Sequence, residues 1–471
     1  MMITHFIAWL CLFLPAFDQA TDNTDKLPNI LVIIADDCTF SDLPLYGGKN
    51  VNTPNIDRLA SEGMTFDKAY VSMAMCTPSR AELFTGLSPV RSGVCWNHVK
   101  ARKGTESMVH HFNKLGYRTG IAGKVHVSPK EVFPFEYVEG IEGRSVSETA
   151  GFDLDGVSGF INRDPDQPFS LISALVVPHI PWTVGDTSQF DPKALQLPPY
   201  LADTPETRQE LREYLAEIRV MDDQVGKILD ALERSGKAGN TIVIFTSEQG
   251  AQFPFCKWTN WDMGVHTGFI VRWPGQVKPG SRTDALIQYN DVLPTLLDAL
   301  GGEYDESDFD GSSFLPVLKG QASHHRYYAY FMHNNTPEGP PYPIRSVTDG
   351  KFHYIRNLKH EDLYIEKHIM AKMPFNQYWH SWMFTAAKNE HTQHLINTYM
   401  SRPAEQLYDL SMDPFELNDL AGSNEHASKR QELSSELDTW MKKQGDLGEI
   451  LDTWEQYQSA KKGIHFKREF D

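Results

Sequence analysis

The sequence Asn29–Ala35, NILVIIA, is apolar on both of its faces and is followed directly by Asp36 and Asp37. Strands that are apolar on both faces are typical of the interior of a parallel sheet that is covered on both sides. Three further runs share the pattern: 169–177 (FSLISALVV), 241–246 (TIVIFT) and 268–273 (GFIVRW). We therefore predict a largely parallel central sheet built from these segments.

Helical patterns alternate with these strands. Residues 54–63 begin with a proline and end with a glycine, and residues 105–116 repeat the apolar spacing. Residues 204–236 keep the helical apolar period over their whole length. Alternating strands and helices predict an α/β sandwich.

The pattern changes near residue 320. Short aromatic-rich runs then follow at 327–332, 344–347 and 352–355, and residues 429–441 form a final amphipathic pattern. We predict a catalytic domain over 27–320 and a smaller α+β subdomain over 321–471, in which a helix packs on an antiparallel sheet.

Size and charge limit the class of protein. At roughly 100 to 200 residues per domain, a chain of 471 residues is expected to form two or more packed units. The formal net charge of -18 argues against a nucleic-acid-binding protein, because affinity for the phosphate backbone depends on clustered Lys and Arg. It does not exclude an anionic substrate, which needs only a local positive pocket. Beyond Cys11, the remaining cysteines fit neither a disulfide framework nor a C-x-x-C zinc pattern.

The N-terminus carries an apolar run at 6–14 and a small residue at Ala20, before the polar TDNTDK. We predict a signal peptide over residues 1–20 and a periplasmic or secreted protein. The alternative is a short hydrophobic N-terminus or a membrane anchor. We expect no stable membrane insertion, because the run is too short and no stretch of about 18 apolar residues occurs elsewhere.

Two oxygen-rich pairs follow predicted strands. Asp36 and Asp37 follow the first strand, and Glu248 and Gln249 stand in the same relation to the strand at 241–246. Open α/β sheets place ligands at the carboxyl ends of their strands. Adjacent carboxylates repel each other unless a positive charge lies between them, so the pairs predict a hard cation. A solvated loop is the alternative for either pair alone.

The segment 76–80 reads CTPSR. A cysteine before a proline-initiated helix is usually a buried structural residue, but C-x-P-S-R resembles the signature of the sulfatase family at every fixed position. The resemblance implies that a maturation enzyme converts Cys76 to formylglycine (3-oxoalanine) and that Arg80 holds this residue. It also implies that one hydroxyl of the hydrated aldehyde attacks sulfur and that the other later expels sulfate.

The resemblance extends to GKVH at 123–126, to PHIP at 178–181 and to Lys257. It implies that Lys124 and Lys257 hold the sulfate oxygens and that His126 acts as a base on the second hydroxyl. His179 would protonate or orient the leaving group, with Lys257 as a competing acid. It further implies an alkaline-phosphatase-like fold and a site for Ca²⁺, or alternatively Mg²⁺. The implied metal ligands are Asp36, Asp37, Cys76, Glu248 and Gln249.

Within that family, the sequence is most similar to the sulfamidase-like (N-sulfoglucosamine sulfohydrolase-like) branch. The segments that carry this similarity are 120–136 (GIAGKVHVSPKEVFPFE), the block ending in 242–250 (IVIFTSEQG), 343–347 (PIRSV) and 406–421 (QLYDLSMDPFELNDLA). The similarity therefore covers nearly the whole chain.

Several residues depart from that branch. Val177 and Ile180 stand where it has an acidic residue and an arginine, and Lys257 replaces an arginine. Glu248 and Gln249 replace the usual Asp followed by Asn or His. Because the first three departures lie beside the leaving group, they argue against N-sulfoglucosamine more than against sulfate hydrolysis. We predict a sulfuric ester hydrolase that acts on a sulfated polysaccharide or its oligosaccharides, with a sulfamidase as the alternative.

The sugar contacts are predicted less directly. The candidates are His98, Trp182, Asp262, His266 and Arg345. Two rival functions remain: a phosphatase or phosphodiesterase of the same superfamily, with Thr77 as its nucleophile, and a catalytically silent sugar-binding protein. The first lacks a second His/Asp cluster for two zinc ions, and the second is disfavoured by the intact motif residues.

Overall fold

A computed structural model describes residues 26–144, 151–374 and 376–448. The predicted signal peptide, residues 1–20, lies outside the described residues. Within the described ranges, no helix combines the length and the apolar character needed to cross a membrane.

Nine strands form one central sheet in the described part of the chain. They are β1 (Asn29–Ala35), β2 (Met64–Tyr70), β3 (Arg118–Gly123), β4 (Glu136–Val138), β5 (Phe169–Ala174), β6 (Thr241–Ser247), β7 (His266–Arg272), β8 (Ser281–Thr283) and β9 (Ile287–Gln288). The order is β4-β3-β5-β1-β6-β7-β2-β8, and β9 pairs with β2. β1 lies in the interior of this order and is fully buried, as its apolar sequence predicts.

The sheet is mostly parallel. β1 runs parallel to β5 and β6, and β3 runs parallel to β4 and β5. The predicted largely parallel sheet is confirmed, and the segment at 268–273 lies in its antiparallel part, because β7 pairs antiparallel with both β6 and β2. A short connection explains this, since β7 follows β6 without a crossover helix long enough to return the chain to a parallel start.

The helices pack in two groups. They are α1 (Pro54–Glu62), α2 (Cys76–Thr85), α3 (Pro89–Ser92), α4 (Met108–Lys114), α5 (Asp155–Asn162), α6 (Pro205–Arg234), α7 (Asp262–Val265), α8 (Val292–Ala299) and α9 (Leu315–Leu318). α6 contacts α1 and α5, whereas α8 contacts α2 and α4. Two groups that each pack together are expected for helical layers on the two faces of a sheet, so the predicted α/β sandwich is confirmed.

A second sheet follows the first. Its strands are β10 (Ala329–His333), β11 (Ile344–Thr348), β12 (Phe352–Asn357) and β13 (Glu405–Asp409), and every pair in it is antiparallel. The helices of this region are α10 (Lys367–Met370), α11 (Tyr378–Ala386), α12 (Glu390–Met400) and α13 (Ala427–Gln444). α13 packs on β11 and β12, so the predicted antiparallel sheet with a helix on it is confirmed. The domain boundary at 320/321 stays a prediction.

Candidate active site

Four oxygen-bearing side chains meet at the carboxyl edge of the central sheet. Asp36 and Asp37 follow β1, and Glu248 and Gln249 follow β6, which runs parallel to β1 along its length. All four residues are buried. Asp37 has a left-handed backbone with φ 58°. This conformation is costly for a residue other than glycine and is concentrated at functional sites.

Cys76 is the first residue of α2, a helix whose ten residues are all buried. Its Sγ lies 3.8 Å from Asp36 Oδ1 and 3.9 Å from Asp37 Oδ1. Burial, reinforced by nearby Glu248, raises the pKa of the Cys76 thiol to about 12. An unmodified thiol here is therefore neutral at physiological pH, and it is a poor nucleophile because thiol reactivity depends on the thiolate.

Two lysines neutralise the two aspartates. Lys124 Nζ lies 2.6 Å from Asp36 Oδ2, and Lys257 Nζ lies 2.6 Å from Asp37 Oδ2. Burial opposes the charged form of each lysine, but the aspartates outweigh it and the pKa of both lysines is raised. Both ammonium groups are therefore charged, and they place two buried positive charges near Cys76.

Arg80 joins the helix to the second oxygen-rich pair. Its Nε donates to Glu248 Oε1 at 2.5 Å, and its NH1 donates to the Lys124 carbonyl at 2.6 Å. Burial raises the pKa of Glu248, and Arg80 counteracts this effect. Arg80 thus fixes α2 against the ends of β3 and β6.

His179 lies beside Lys257. Its Nδ1 is 2.6 Å from the Ile180 carbonyl, which assigns the ring proton to Nδ1 and leaves Nε2 as an acceptor. Nε2 lies 3.5 Å from Lys257 Nζ and 3.5 Å from Asp37 Oδ2. Burial lowers the pKa of His179 to about 3, so the imidazole is neutral before an anion binds.

His126 joins this group through His98. His126 Nε2 lies 3.2 Å from His98 Nδ1, and the His98 backbone N–H donates to Thr77 Oγ1 at 3.1 Å. Both histidines have left-handed backbones, with φ 49° at His126 and φ 67° at His98. The structure thus places the predicted contact residue His98 directly against the predicted base.

The carboxylates provide donor atoms that suit a divalent cation. Ligand atoms within 4.8 Å of one another are found on Asp36, Asp37, Cys76 and His179. Glu248 Oε2 is also buried and has no hydrogen-bond partner among the described residues, although Lys124 Nζ is 3.7 Å away. A buried carboxylate oxygen without a donor is expected where a cation binds, and oxygen-rich donor sets favour Ca²⁺ or Mg²⁺. The residues therefore fit such an ion.

Gln249 fits this cation site less well. It presents its amide nitrogen to Asp37 Oδ1 at 2.6 Å and to Cys76 Sγ at 3.3 Å. Its Oε1 accepts instead from Ser79 Oγ at 3.1 Å. Ligation through Oε1 would require the amide to turn, so the role of Gln249 as a ligand stays a prediction.

Three predicted sugar contacts have protein partners. Trp182 donates to the Pro178 carbonyl and stacks on Phe253. His266 Nδ1 lies 2.9 Å from Asp262 Oδ2, and both side chains are buried. Packing and pairing account for these three residues without a substrate.

Arg345 is also occupied. Its guanidinium forms a two-point ion pair with Asp446, and its NH1 donates to Asn334 Oδ1 at 3.0 Å. Arg345 is fully buried. Its geometry is that of a structural arginine, and nothing in it supports the predicted sugar contact.

Four residues near the lysines were not singled out from sequence. Asn97 Oδ1 accepts from the Thr77 backbone N–H at 3.0 Å, and the Trp258 ring lies 4.8 Å from Lys257 Nζ. The other two, Glu338 and His368, come from the C-terminal region, and the Lys257 charge acts on both. No local motif marks them, because tertiary packing alone brings them to the site.

Comparison with known proteins agrees with this geometry. The family model described as Sulfatase matches residues 28–302, more than half of the chain. The chain belongs to the sulfatase family. A second family model, described as N-sulphoglucosamine sulphohydrolase, C-terminal, matches residues 252–373. The family identification and the predicted sulfuric ester hydrolase activity are thereby confirmed.

Two curated relatives align with most of this sulfatase. An ulvan-active sulfatase of Formosa agariphila is 31% identical over 450 residues, covering 91% of this chain and 85% of the relative. The N-sulphoglucosamine sulphohydrolase of Homo sapiens is 28% identical over 474 residues, covering 88% of this chain and 89% of the relative. The sulfamidase-like similarity read from the sequence is therefore confirmed.

Solved structures share the fold of this sulfatase. BT4656, solved with its substrate D-glucosamine-2-N,6-O-disulfate, superposes with a TM-score of 0.70 at 21% identity, covering 90% of this chain and 99% of that chain. The phosphonate monoester hydrolase of Agrobacterium radiobacter superposes with a TM-score of 0.68 at 19% identity, covering 88% of this chain and 96% of that chain. At these identities the likeness concerns the fold alone, and the predicted alkaline-phosphatase-like architecture is confirmed.

Proposed function

We propose that this sulfatase removes O-linked sulfate from a sulfated polysaccharide or its oligosaccharides. The observation that carries the proposal is the position of Cys76, whose Sγ lies within 3.9 Å of both Asp36 and Asp37 at the start of a buried helix. The similarity to an ulvan-active sulfatase supports a polysaccharide substrate. Formylglycine at Cys76 and a divalent cation, Ca²⁺ or alternatively Mg²⁺, complete the proposed site.

Formylglycine would supply a hydrated aldehyde as the nucleophile, and the cation would neutralise charge on the bound sulfate. The residues of the chain would prepare the substrate. Lys124 and Lys257 present buried ammonium groups for the sulfate oxygens. The backbone N–H groups at the start of α2 add a partial positive charge that favours an anion.

The histidines would move protons. His126, held by His98 at 3.2 Å, would act as the base on the second hydroxyl. His179 Nε2 is an acceptor beside the Lys257 ammonium, at 3.5 Å. The proton for the leaving oxygen would therefore come from Lys257, either directly or through His179.

A sulfamidase acting on N-sulfoglucosamine is the second candidate function. The matching C-terminal family model and the human relative favour it. Against it, Val177 and Ile180 are buried apolar residues beside His179. They offer no charged group to a sugar nitrogen.

A phosphoesterase is a weaker alternative. Its nucleophile would have to be Thr77, which is buried and whose Oγ1 already accepts the His98 backbone N–H. We also propose that the chain is exported to the periplasm or secreted and that a formylglycine-generating enzyme matures it.

The test is sulfate release by the matured enzyme from O-sulfated polysaccharide fragments and from N-sulfated glucosamine saccharides, with Cys76→Ala as the control. Mass spectrometry of the peptide carrying residue 76 is measured on the same sample. We expect formylglycine at residue 76 and release from the O-sulfated set. Release from N-sulfoglucosamine alone would establish the sulfamidase, and an unmodified thiol in an active enzyme would exclude the proposed chemistry.

A further inference from the structure

One buried carboxylate beside the site has no role in the chemistry above. Glu338 lies in the loop between β10 and β11 and is 4% exposed. Its backbone carbonyl accepts from the Lys367 backbone N–H at 3.0 Å within the C-terminal region, whereas its carboxylate faces Asn97 and the Lys257 charge, which precede residue 320 in the chain. Its position therefore needs a separate explanation.

Asn97 links Glu338 to the residue that follows Cys76. The backbone N–H of Thr77, the residue after Cys76, donates to Asn97 Oδ1 at 3.0 Å. The Asn97 side chain in turn makes a hydrogen bond with the Glu338 carboxylate, which also feels the Lys257 charge. Glu338 thus lies one side chain away from the start of α2, on the side where Lys257 lies.

One oxygen of the Glu338 carboxylate lacks a hydrogen-bond donor. Glu338 Oε2 is buried and has no hydrogen-bond partner among the residues that the structure describes. A buried carboxylate oxygen without a donor costs free energy of folding. Burial accordingly raises the pKa of Glu338 to about 7, although its own backbone N–H, the charges of Lys367 and Lys257, and the Asn97 side chain oppose the shift. Such a cost is expected where a ligand supplies the missing donor.

Two aromatic rings lie close to this segment. His368 follows Lys367, whose backbone N–H donates to the Glu338 carbonyl, and its imidazole stacks on the Trp258 ring at a centroid distance of 5.2 Å and an interplanar angle of 20°. The Trp258 ring in turn lies 4.8 Å from Lys257 Nζ. Burial and the charges of nearby lysines lower the pKa of His368 to about 3, so this ring is neutral. Aromatic faces beside a few hydrogen-bonding groups are typical of small-molecule sites.

We propose that Glu338 is a specificity-determining residue, whose free carboxylate oxygen accepts a hydrogen bond from a hydroxyl or amino group of the sugar that carries the sulfate. The inference rests on the proposed function. It also sets a limit on the substrate, because the ionised carboxylate would repel a second sulfate or a carboxylate at this position. The sugar group that faces ionised Glu338 is therefore a donor and not an anion.

The experiment compares two kinds of substrate in matched variants. The saccharides are ulvan oligosaccharides, N-sulfoglucosamine and glucosamine 6-sulfate, and the reference is 4-methylumbelliferyl sulfate, which has neither hydroxyl nor amino groups. Glu338→Gln keeps the shape but replaces one acceptor oxygen with an amide. Glu210→Gln is the control, because Glu210 is also buried with an unpartnered Oε2 and lies on α6, outside the proposed machinery.

We expect Glu338→Gln to lower kcat/KM for the cleaved saccharide at least about tenfold, as for a lost hydrogen bond to a charged group, and to change the aryl sulfate rate less than about twofold. Glu210→Gln should leave the ratio of the two rates unchanged. An equal loss on both substrates, or no loss on either, would overturn the inference. Wild-type enzyme that cleaves the aryl sulfate but none of the saccharides would also overturn the inference about Glu338. It would leave the sulfatase activity itself established. Wild-type enzyme inactive on every substrate would instead refute the proposed function.

Discussion

At the scale of single residues, the site is organised by paired buried charges. Lys257 Nζ lies 2.6 Å from Asp37 Oδ2 and also faces His179 Nε2 at 3.5 Å. A buried charge that loses its partner is strongly destabilising, whereas an intact pair contributes little net stability. Lys124 and Lys257 therefore supply the counter-charges of Asp36 and Asp37, and a bound cation would share that task.

Lys257→Met tests this arrangement. In a chelator, we expect the variant to lose about 3–5 kcal/mol of unfolding free energy, because Asp37 is left buried without a counter-charge. In saturating Ca²⁺ the loss should be smaller, since the cation takes over the neutralisation. Denaturant unfolding in both conditions measures the difference. The same loss with and without Ca²⁺ would contradict a metal site at Asp37.

His179→Gln tests proton delivery. We expect kcat for a saccharide sulfate to fall roughly 100-fold or more, as when a general acid is removed. The fall should be smaller for 4-methylumbelliferyl sulfate, because its phenolic leaving group needs less protonation. Steady-state rates of both substrates provide the measurement, and exposed His360→Gln serves as the control. Equal losses on the two substrates would argue that His179 only positions the sulfate.

At the scale of elements, α6 holds the segment that follows His179. Glu217 on α6 accepts hydrogen bonds from the backbone N–H groups of Thr183, at 2.7 Å, and Val184, at 3.2 Å. Burial raises the pKa of Glu217 from 4.5 to about 8. The folded state thus binds this proton more tightly than the unfolded state does.

The contribution of Glu217 to stability is fully present below its unfolded pKa of 4.5 and is lost as the pH rises through about 8. Glu217→Gln keeps an acceptor oxygen but does not titrate, so its unfolding free energy should fall less between about pH 5 and about pH 8 than that of wild type. Denaturant unfolding at the two pH values checks this. Identical slopes would show that Glu217 stays ionised in the folded state.

The sequence predicted some elements and missed others for physical reasons. Apolar runs located β1, β5, β6 and β7, but β2 and β3 were missed. Asp67 and Lys68 interrupt β2 at a register shift, and two glycines shorten the apolar pattern of β3. The antiparallel direction of β7 could not be predicted, since periodicity shows burial and carries no information on strand polarity.

The residues of the site likewise fall into those that the sequence predicted and those that it missed. The residues that surround Cys76 follow strand ends or occupy a family motif, so local sequence marked them. Asn97, Glu338 and His368 carry no such mark, because their proximity depends on how the two sheets pack. Conversely, Arg345 stands in the segment 343–347 that resembles the sulfamidase-like branch, but its guanidinium pairs with Asp446.

At the scale of the whole molecule, buried hydrogen bonds join the two sheets. The Asp262 backbone N–H donates to a Glu416 oxygen, and the other Glu416 oxygen lies 2.6 Å from His353 Nδ1. Tyr364 OH donates to the Trp258 carbonyl at 2.5 Å. The C-terminal region is thus anchored beside the proposed substrate pocket.

Glu416→Ala probes this connection. We expect a loss of about 3–5 kcal/mol, because His353 and the Asp262 N–H are left buried without their partner. The two sheets should still unfold in a single transition at lower denaturant concentration. Tryptophan fluorescence and far-UV circular dichroism measure it, with exposed Glu432→Ala as a near-neutral control. Two separated transitions would show that the sheets are only loosely coupled.

The burial of Cys76 has a consequence for biosynthesis. Its side chain is 1% exposed, at the start of a helix with no exposed residue. No second enzyme can reach the thiol once this helix has packed, so the proposed oxidation has to occur on the nascent, still extended chain. Folding and maturation therefore compete in time. A chain that folds first would lack the proposed nucleophile, so the active fraction of a preparation would be decided during synthesis, not afterwards.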